Sequence, residues 1–123
     1  MKKILITMLF IFLLCGCKKE SKTECLLTNE KNEDMKSYIR VTLVSNKDTV
    51  EKEELYAVYK FKSKKEATNR YTAIEDIFGQ ETSIKVEQNN ENIIAQGTKD
   101  LKDMQYDKKS KISYYEQLGY SCK

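Results

Sequence analysis

The chain contains no histidine, no proline and no tryptophan, and it has only four glycines. Without histidine, a hydrolase triad lacks its usual general base, and the histidine–cysteine clusters that zinc favours cannot form. The four glycines are too scattered to build a phosphate-binding loop. The sequence therefore predicts no catalytic residue, no metal ligand and no bound cofactor.

A strong excess of one charge is also missing. Lysine and arginine number 22 against 19 aspartates and glutamates, so the formal net charge is only +3, although 33% of the residues are charged. Nucleic-acid-binding domains usually carry a basic face. We therefore expect no nucleic-acid partner.

The one long apolar run lies near the N-terminus. Residues 4–14 include Thr7 as their only polar residue, and Lys2 and Lys3 precede them. Eleven residues are too few for a transmembrane helix, which needs roughly 20, but a positive start followed by a short apolar run is typical of a secretory signal peptide. We predict that residues 1–16 are such a signal.

The apolar run ends in Leu14, Cys15, Gly16 and Cys17. This pattern resembles the bacterial lipobox, in which the cysteine thiol receives a diacylglyceryl group before a peptidase cuts on its amino side. Cys17 is the expected lipidation site, since Cys15 follows a leucine and not a small residue. The prediction is a protein held in the cell membrane by acyl chains such as palmitate, on the extracytoplasmic face, with residues 17–24 as a lipidated tether.

Cleavage leaves 107 residues with a formal charge of +1, which is enough for one small domain. Cys25 and Cys122 are then the remaining cysteines, one at each end of a domain spanning residues 25–123. Because the expected compartment is oxidising, we predict a disulfide between them. Two unpaired buried thiols are the alternative.

Alternating apolar residues predict an antiparallel meander followed by a hairpin. In the strand predicted for residues 50–62, Leu55, Ala57, Tyr59 and Phe61 share one face, and residues 51–54 form an exposed, twisted or bulged end. The other predicted strands are residues 25–28, 37–45, 82–88 and 92–99, the last with a bulge at Gly97.

Two helices are predicted. Ser63 and Glu66 form a capping box, and the apolar stripe that follows extends to Phe78, widened by Ile77 and ended by a left-handed Gly79. A short second helix starts at Ser110 or Ser113 and ends at Gly119. The expected fold is α+β, with about five antiparallel strands and both helices on one face.

The tyrosines and three glutamates are the candidate binding residues. Strand alternation places Tyr56 opposite Tyr59, so an outer sheet face could present tyrosines to a glycan or a protein. Packing of a small core is the alternative that we favour. Glu51, Glu53 and Glu54 could offer carboxylates to a cation or a sugar, but a solvated strand end is favoured. The tyrosines considered are Tyr38, Tyr56, Tyr59, Tyr71, Tyr114, Tyr115 and Tyr120.

The plan of the chain resembles the YehR-type family of small bacterial lipoproteins. The likeness lies in the lipobox ending at Cys17, the helix start at residues 63–67 and the closing Leu118, Gly119 and Tyr120. It implies a β-rich α+β domain with strands before and after a central helix. The family has no established activity, so it supplies no functional residues. This chain differs in having Cys25 and Cys122.

These features predict a monomeric, non-enzymatic binding or structural protein of the bacterial envelope. Its partners would be the membrane, through the lipid on Cys17, and a protein or envelope glycan. A receptor for a small ligand or glycan, using the tyrosine-bearing sheet face, is the alternative. An enzyme that uses carboxylates alone is a weaker third hypothesis.

Overall fold

A computed structural model describes residues 20–79 and 83–123. The predicted signal peptide, Cys15 and Cys17 lie outside these residues. In chain order the elements are β1 (Glu20–Asn29), β2 (Met35–Asn46), β3 (Thr49–Phe61), α1 (Lys64–Phe78), β4 (Ile84–Asn89), β5 (Asn92–Asp100), a 3-10 turn (Lys102–Met104), β6 (Tyr106–Asp107), α2 (Lys108–Gln117) and β7 (Ser121–Cys122).

The strands of the described residues form one antiparallel sheet in the order β4-β5-β3-β2-β1-β7, and β6 pairs with β3. The α+β class is confirmed, but the sheet has seven strands and not about five. The two extra strands, β6 and β7, are two residues long each. A two-residue strand shows no alternation, so the sequence pattern does not reveal it.

The domain also begins earlier than predicted, which corrects the tether of residues 17–24. Glu20 pairs with Asn46 and Glu24 with Thr42, so this polar segment is the first half of β1. Its charged side chains obscure the strand signal, because Lys22 and Glu24 are exposed while Thr23 between them is 8% exposed.

Both helices cover the same face of the sheet, which we call the helix face. Residues Leu55 and Ala57 lie on it, as the alternation predicts, and Tyr56 lies on the opposite, outer face. The α2 half of the core contains Cys25, Val41, Leu43, Val50, Leu101 and Tyr115. The α1 half contains Phe61, Ala67, Ile74 and Ile93.

The capping box of α1 is confirmed, since the Ser63 hydroxyl accepts from the Glu66 amide at 3.2 Å. The predicted left-handed cap at Gly79 is wrong, because its φ is −66°. Ile77 does not widen the buried stripe, since it is 70% exposed. Gly119, after α2, is the left-handed glycine, with φ of 100°.

The start of α2 is at neither predicted serine. Asp107 caps it by accepting from the Ser110 amide at 3.0 Å, so the helix begins at Lys108. Aspartate is as good a cap as serine, and its carboxylate is favoured by the helix dipole.

The predicted bulge in β3 is confirmed at Glu51, while the one at Gly97 is wrong. Val44 pairs with Lys52 and Ser45 with Val50, which leaves Glu51 as the extra residue. Gly97 keeps regular register with Leu55 and Ile84. A glycine is needed there because an added Cβ would overlap the carbonyl oxygen of Ser83.

Candidate functional site

The exposed tyrosines of the described chain gather beside α2, on the helix side of the sheet. Tyr106 is 37% exposed and Tyr114 is 55% exposed. Tyr38 and Tyr56, on the outer face, are half-buried. The most accessible aromatic surface therefore lies away from the outer face on which the sequence placed the candidate platform.

A half-buried glutamate stands at the centre of this region. Glu53 lies on the helix face of β3, where its Oε1 accepts from the Tyr115 hydroxyl and its Oε2 lies 3.2 Å from the Lys111 ammonium. The side chains of Glu53 and Lys111 are both 19% exposed. Glu53, Lys111 and Tyr115, which we call the Glu53 cluster, join the centre of the sheet to α2.

The position of Lys111 is defined by aromatic rings as well as by Glu53. Its ammonium lies 4.4 Å from the ring centre of Tyr106, 5.9 Å from that of Tyr114 and 6.0 Å from that of Tyr115. Cation–π attraction contributes about 0.5–2 kcal/mol, more when the cation is desolvated. The ammonium is therefore held between one carboxylate and several rings.

The hydroxyl of Tyr115 is a very weak acid in this setting. Burial raises its pKa above the ordinary value near 10, and the hydrogen bond to Glu53 raises it further. Burial also raises the pKa of Tyr120, with the charges of Tyr114 and Glu53 adding to the effect. Tyr115 therefore stays protonated and donates its proton to the carboxylate at neutral pH.

Two adjoining cavities open at the Glu53 cluster. One, of about 180 Å³, has Leu55, Gly97 and Tyr120 among its lining residues. The other, of about 430 Å³, is lined by Tyr106, Asp107, Ser110, Lys111 and Tyr114. Both share the same three residues, Glu53, Lys99 and Tyr115.

The chemistry of these groups suits hydrogen bonding better than proton transfer. A general acid works best with a pKa near the operating pH, and the pKa of Tyr115 is moved away from it. The Glu53 carboxylate and the Lys111 ammonium already satisfy each other. Asp107 is engaged by the backbone of α2. The arrangement stabilises the contact between α2 and the sheet and offers polar and aromatic walls to a ligand.

The outer face carries a second, shallower site. Tyr38 and Tyr56 meet edge to face with their ring centres 6.4 Å apart, and the Arg40 guanidinium lies 5.2 Å from the Tyr56 ring centre. A groove of about 320 Å³ adjoins them, and we call it the outer groove. It is lined by Arg40, Thr42, Glu54, Leu55, Tyr56, Gln96, Gly97 and Thr98.

The predicted candidates separate in the structure. Glu54 lines the outer groove, Glu53 lies in the Glu53 cluster, and the backbone carbonyl of Glu51 accepts from the Leu101 amide at 2.8 Å. A solvated strand end is therefore wrong for Glu53. The Tyr71 hydroxyl donates to the Val86 carbonyl at 2.8 Å, and Tyr59 packs against the α1 half of the core.

The predicted disulfide is present, because Cys25 and Cys122 are bonded across β1 and β7. The sequence reading missed Tyr106, which is not among the candidate tyrosines, and it also missed Lys111. Its spacing of four from Tyr115 placed both on one helix face, and this is the signal that was available.

Within the described residues, no group of three or more cysteine, aspartate or glutamate side chains is placed to hold a metal ion. Residues 20–79 and 83–123 also contain no helix long and apolar enough to cross a membrane. Comparisons with protein-family models, curated proteins and solved structures found no match. The resemblance to the YehR-type family stays a prediction.

Proposed function

We propose that this protein is a lipid-anchored domain on the extracytoplasmic face of a bacterial cell membrane, where it acts as a non-enzymatic binding or structural protein. The Cys25–Cys122 disulfide carries this proposal. Disulfides persist in oxidising compartments and are rare in the cytosol. A disulfide downstream of a signal-like N-terminus and a lipobox agrees with secretion followed by anchoring through Cys17.

The non-enzymatic part of the proposal rests on the state of the polar groups at the two cavities that open at the Glu53 cluster. The Glu53 carboxylate is held by Lys111 and Tyr115, and Tyr115 keeps its proton. Histidine is absent from the sequence. These features favour binding over acid–base catalysis.

Replacement of Cys17 tests the anchor. In cells fed a fatty-acid analogue, the Cys17→Ser variant should carry no label, because serine has no thiol to receive the diacylglyceryl group, and its signal should stay uncleaved, because lipid attachment precedes cleavage. Cys15→Ser is the matched control and should keep both label and membrane association. Label that persists on the Cys17→Ser protein would overturn the proposal.

The outer groove favours a second candidate, a receptor for an envelope glycan. Aromatic rings next to arginine, glutamate, glutamine and threonine offer both ring surface and hydrogen-bonding groups, and Tyr56, Arg40 and Gln96 meet in this way. Sugar hydroxyl groups pair with such polar side chains. The groove lies on the face that no helix covers.

Sedimentation with purified peptidoglycan sacculi tests this candidate. The protein should co-sediment, and Tyr56→Ala should weaken retention about tenfold, a loss of about 1.4 kcal/mol in binding free energy. Tyr114→Ala is the control, since Tyr114 is exposed beside α2 and should leave retention unchanged. Failure of the wild-type protein to co-sediment would count against a peptidoglycan receptor.

A further inference from the structure

The start of β1 places one end of the domain close to the proposed lipid anchor. β1 begins at Glu20, so only Lys18 and Lys19 separate it from Cys17. A chain spans at most about 3.6 Å per residue, so the three residue steps from position 17 to position 20 cannot bridge more than about 11 Å. Other residues at the same end of the domain as Glu20 can therefore contact the bilayer surface.

Three segments share this end, which we call the tether end: Glu20, residues 46–49 and residues 102–109. Glu20 pairs with Asn46 across the sheet. The Lys108 amide donates to the Asp48 carbonyl at 2.7 Å, and the Lys108 ammonium lies 3.2 Å from the Ser21 hydroxyl. The opposite end of β2, at Met35, is 11 residues away along the strand, or roughly 36 Å.

The tether end presents two exposed apolar side chains that are two positions apart in sequence. Met104 is 58% exposed and Tyr106 is 37% exposed, and Gln105 between them has a left-handed φ of 51°. Single exposed apolar residues are common on protein surfaces. These two differ by lying on the end that the proposed lipid brings to the bilayer.

The composition of this end suits the bilayer interface. Tyrosine is enriched at the headgroup level, where its ring is apolar and its hydroxyl is hydrated, and methionine adapts to irregular apolar surroundings. Lys102, Lys108 and Lys109 flank the pair, and lysine stems lie along apolar surface while their ammonium groups reach polar headgroups. The pairing of β6 with β3 holds Tyr106 in place.

We propose that the tether end docks on the membrane that carries the lipid, with Met104 and Tyr106 in the headgroup region. The domain then stands on this end, so the residues near Glu30 lie farthest from the bilayer and the outer groove faces sideways. This inference rests on the lipidation proposed for Cys17. The lysines at 47, 102, 108 and 109 balance the acidic residues at 20, 48, 103 and 107, and Lys18 and Lys19 then leave this end and its link to Cys17 with a small net charge of +2.

Tryptophan fluorescence tests the docking directly, since the chain contains no tryptophan of its own. The full lipidated protein would carry one reporter at a time: Met104→Trp, Glu30→Trp at the far end, or Thr98→Trp on the outer face. Phosphatidylcholine vesicles with a nitroxide-labelled lipid supply the quencher. The reporter at 104 should be quenched at least about threefold more than either of the others, because only it reaches the headgroups.

A second variant shows whether the two side chains, and not the tether alone, determine this orientation. Met104→Ser combined with Tyr106→Ser, read by the Thr98→Trp reporter, should raise quenching at position 98 at least about twofold, because the domain loses its preferred contact. Roughly 0.5 M salt should leave the quenching at 104 unchanged in the phosphatidylcholine vesicles, because this lipid carries no net charge.

Mass spectrometry of the reconstituted protein separates the two proposals. With lipid attached to Cys17, equal or stronger quenching at 30 or 98 than at 104 would overturn the docking and leave the proposed anchoring intact. Cys17 without lipid would overturn both. If quenching at 98 does not change in the double variant, the tether alone determines the orientation, and the part of the proposal that concerns Met104 and Tyr106 is overturned.

Discussion

Reduction of the Cys25–Cys122 disulfide is expected to lower the free energy of unfolding by about 4–5 kcal/mol. The bond joins residues separated by 97 positions. In the chain-entropy treatment, a cross-link of this length removes many conformations from the unfolded chain and none from the folded one. The whole stability of a small domain is about 5–15 kcal/mol, so the reduced protein would be close to unfolding.

Urea denaturation of the mature protein with and without reductant measures this effect. A slope of about 1–3 kcal/mol per molar urea predicts a midpoint lower by roughly 1–5 M on reduction. The slope itself should rise, because the reduced unfolded chain exposes more surface. Reduction is preferable to mutation as the first test, since it keeps both sulfur atoms in a core where Cys25 is fully buried.

A Cys25→Ala/Cys122→Ala variant controls for the chemistry of the reductant. It should be at least as unstable as the reduced protein, because it loses the cross-link and also leaves a small cavity at Cys25. A loss below about 1 kcal/mol on reduction would mean that the unfolded chain already keeps its ends together, since the cross-link would then remove little entropy.

The faces of the central strands were predictable because alternation is a local property. Each side chain of β3 points opposite to its neighbours, so the pattern through Leu55, Ala57 and Tyr59 assigned Tyr56 to the outer face, and the observed register agrees. The start of α1 was predictable for the same reason, since its cap is made within four residues. The disulfide followed from the cysteines that remained after the lipobox.

The Glu53 cluster was not predictable, because its members come from distant parts of the chain. Lys111 and Tyr115 lie 58 and 62 residues from Glu53. The sequence predicted an exposed strand end for Glu53, and nothing local tells which helix covers which part of a sheet. A glutamate on a helix-covered face needs a partner, and α2 supplies both a donor and a cation.

The outer groove illustrates the opposite case, in which the face was predictable and the detail was not. Alternation placed Tyr56 on the outer face, and Tyr38 and Arg40 share that face in the observed register. The observed contact of Arg40 and Tyr38 with the Tyr56 ring depends on the lateral register of β2 and β3. Register follows from the turn at residues 47–48 and the bulge at Glu51, and neither has a sequence signal sharp enough to fix it.

Loss of the Tyr115 side chain is expected to be the most destabilising single change at the Glu53 cluster. Tyr115 is 8% exposed, packs in the α2 half of the core, and meets the rings of Tyr114 and Tyr120 with centres 5.2 and 5.1 Å away. By comparison with other buried aromatic residues, Tyr115→Ala should cost about 3–5 kcal/mol in urea denaturation.

Tyr115→Phe isolates the hydroxyl from the ring. It keeps the packing and removes the hydrogen bond to Glu53, whose carboxylate then has Lys111 as its remaining partner in the cluster. Hydrogen bonds to charged groups contribute about 1.5–3 kcal/mol, and we expect a loss in this range near neutral pH. Tyr114→Phe, on a ring that is 55% exposed, should change stability by less than about 0.5 kcal/mol.

The same hydroxyl should make the protein sensitive to alkali. The pKa of Tyr115 is raised in the folded state, so above about pH 10 the unfolded chain releases a proton that the folded chain keeps. The contribution of this raised pKa to the free energy of unfolding is fully present below about pH 10. Above about pH 10 it falls as the pH rises, by up to about 1.4 kcal/mol per pH unit for this one group. The raised pKa values of Tyr59 and Tyr120 act in the same direction.

Urea denaturation at about pH 9 and pH 11 would therefore distinguish Tyr115→Phe from the wild-type protein in two ways. The two proteins should differ in the free energy of unfolding at each pH, and also in how much that free energy changes between the two pH values. The wild-type protein should lose stability between the two pH values, and Tyr115→Phe should lose distinctly less, because it has one proton fewer to hold. Because the pKa values of Tyr59 and Tyr120 are also raised, the stability of Tyr115→Phe should still fall somewhat with pH. An equal loss of stability in the two proteins would show that folding does not raise the pKa of Tyr115. The Tyr115 side chain would then stabilise the fold through packing alone.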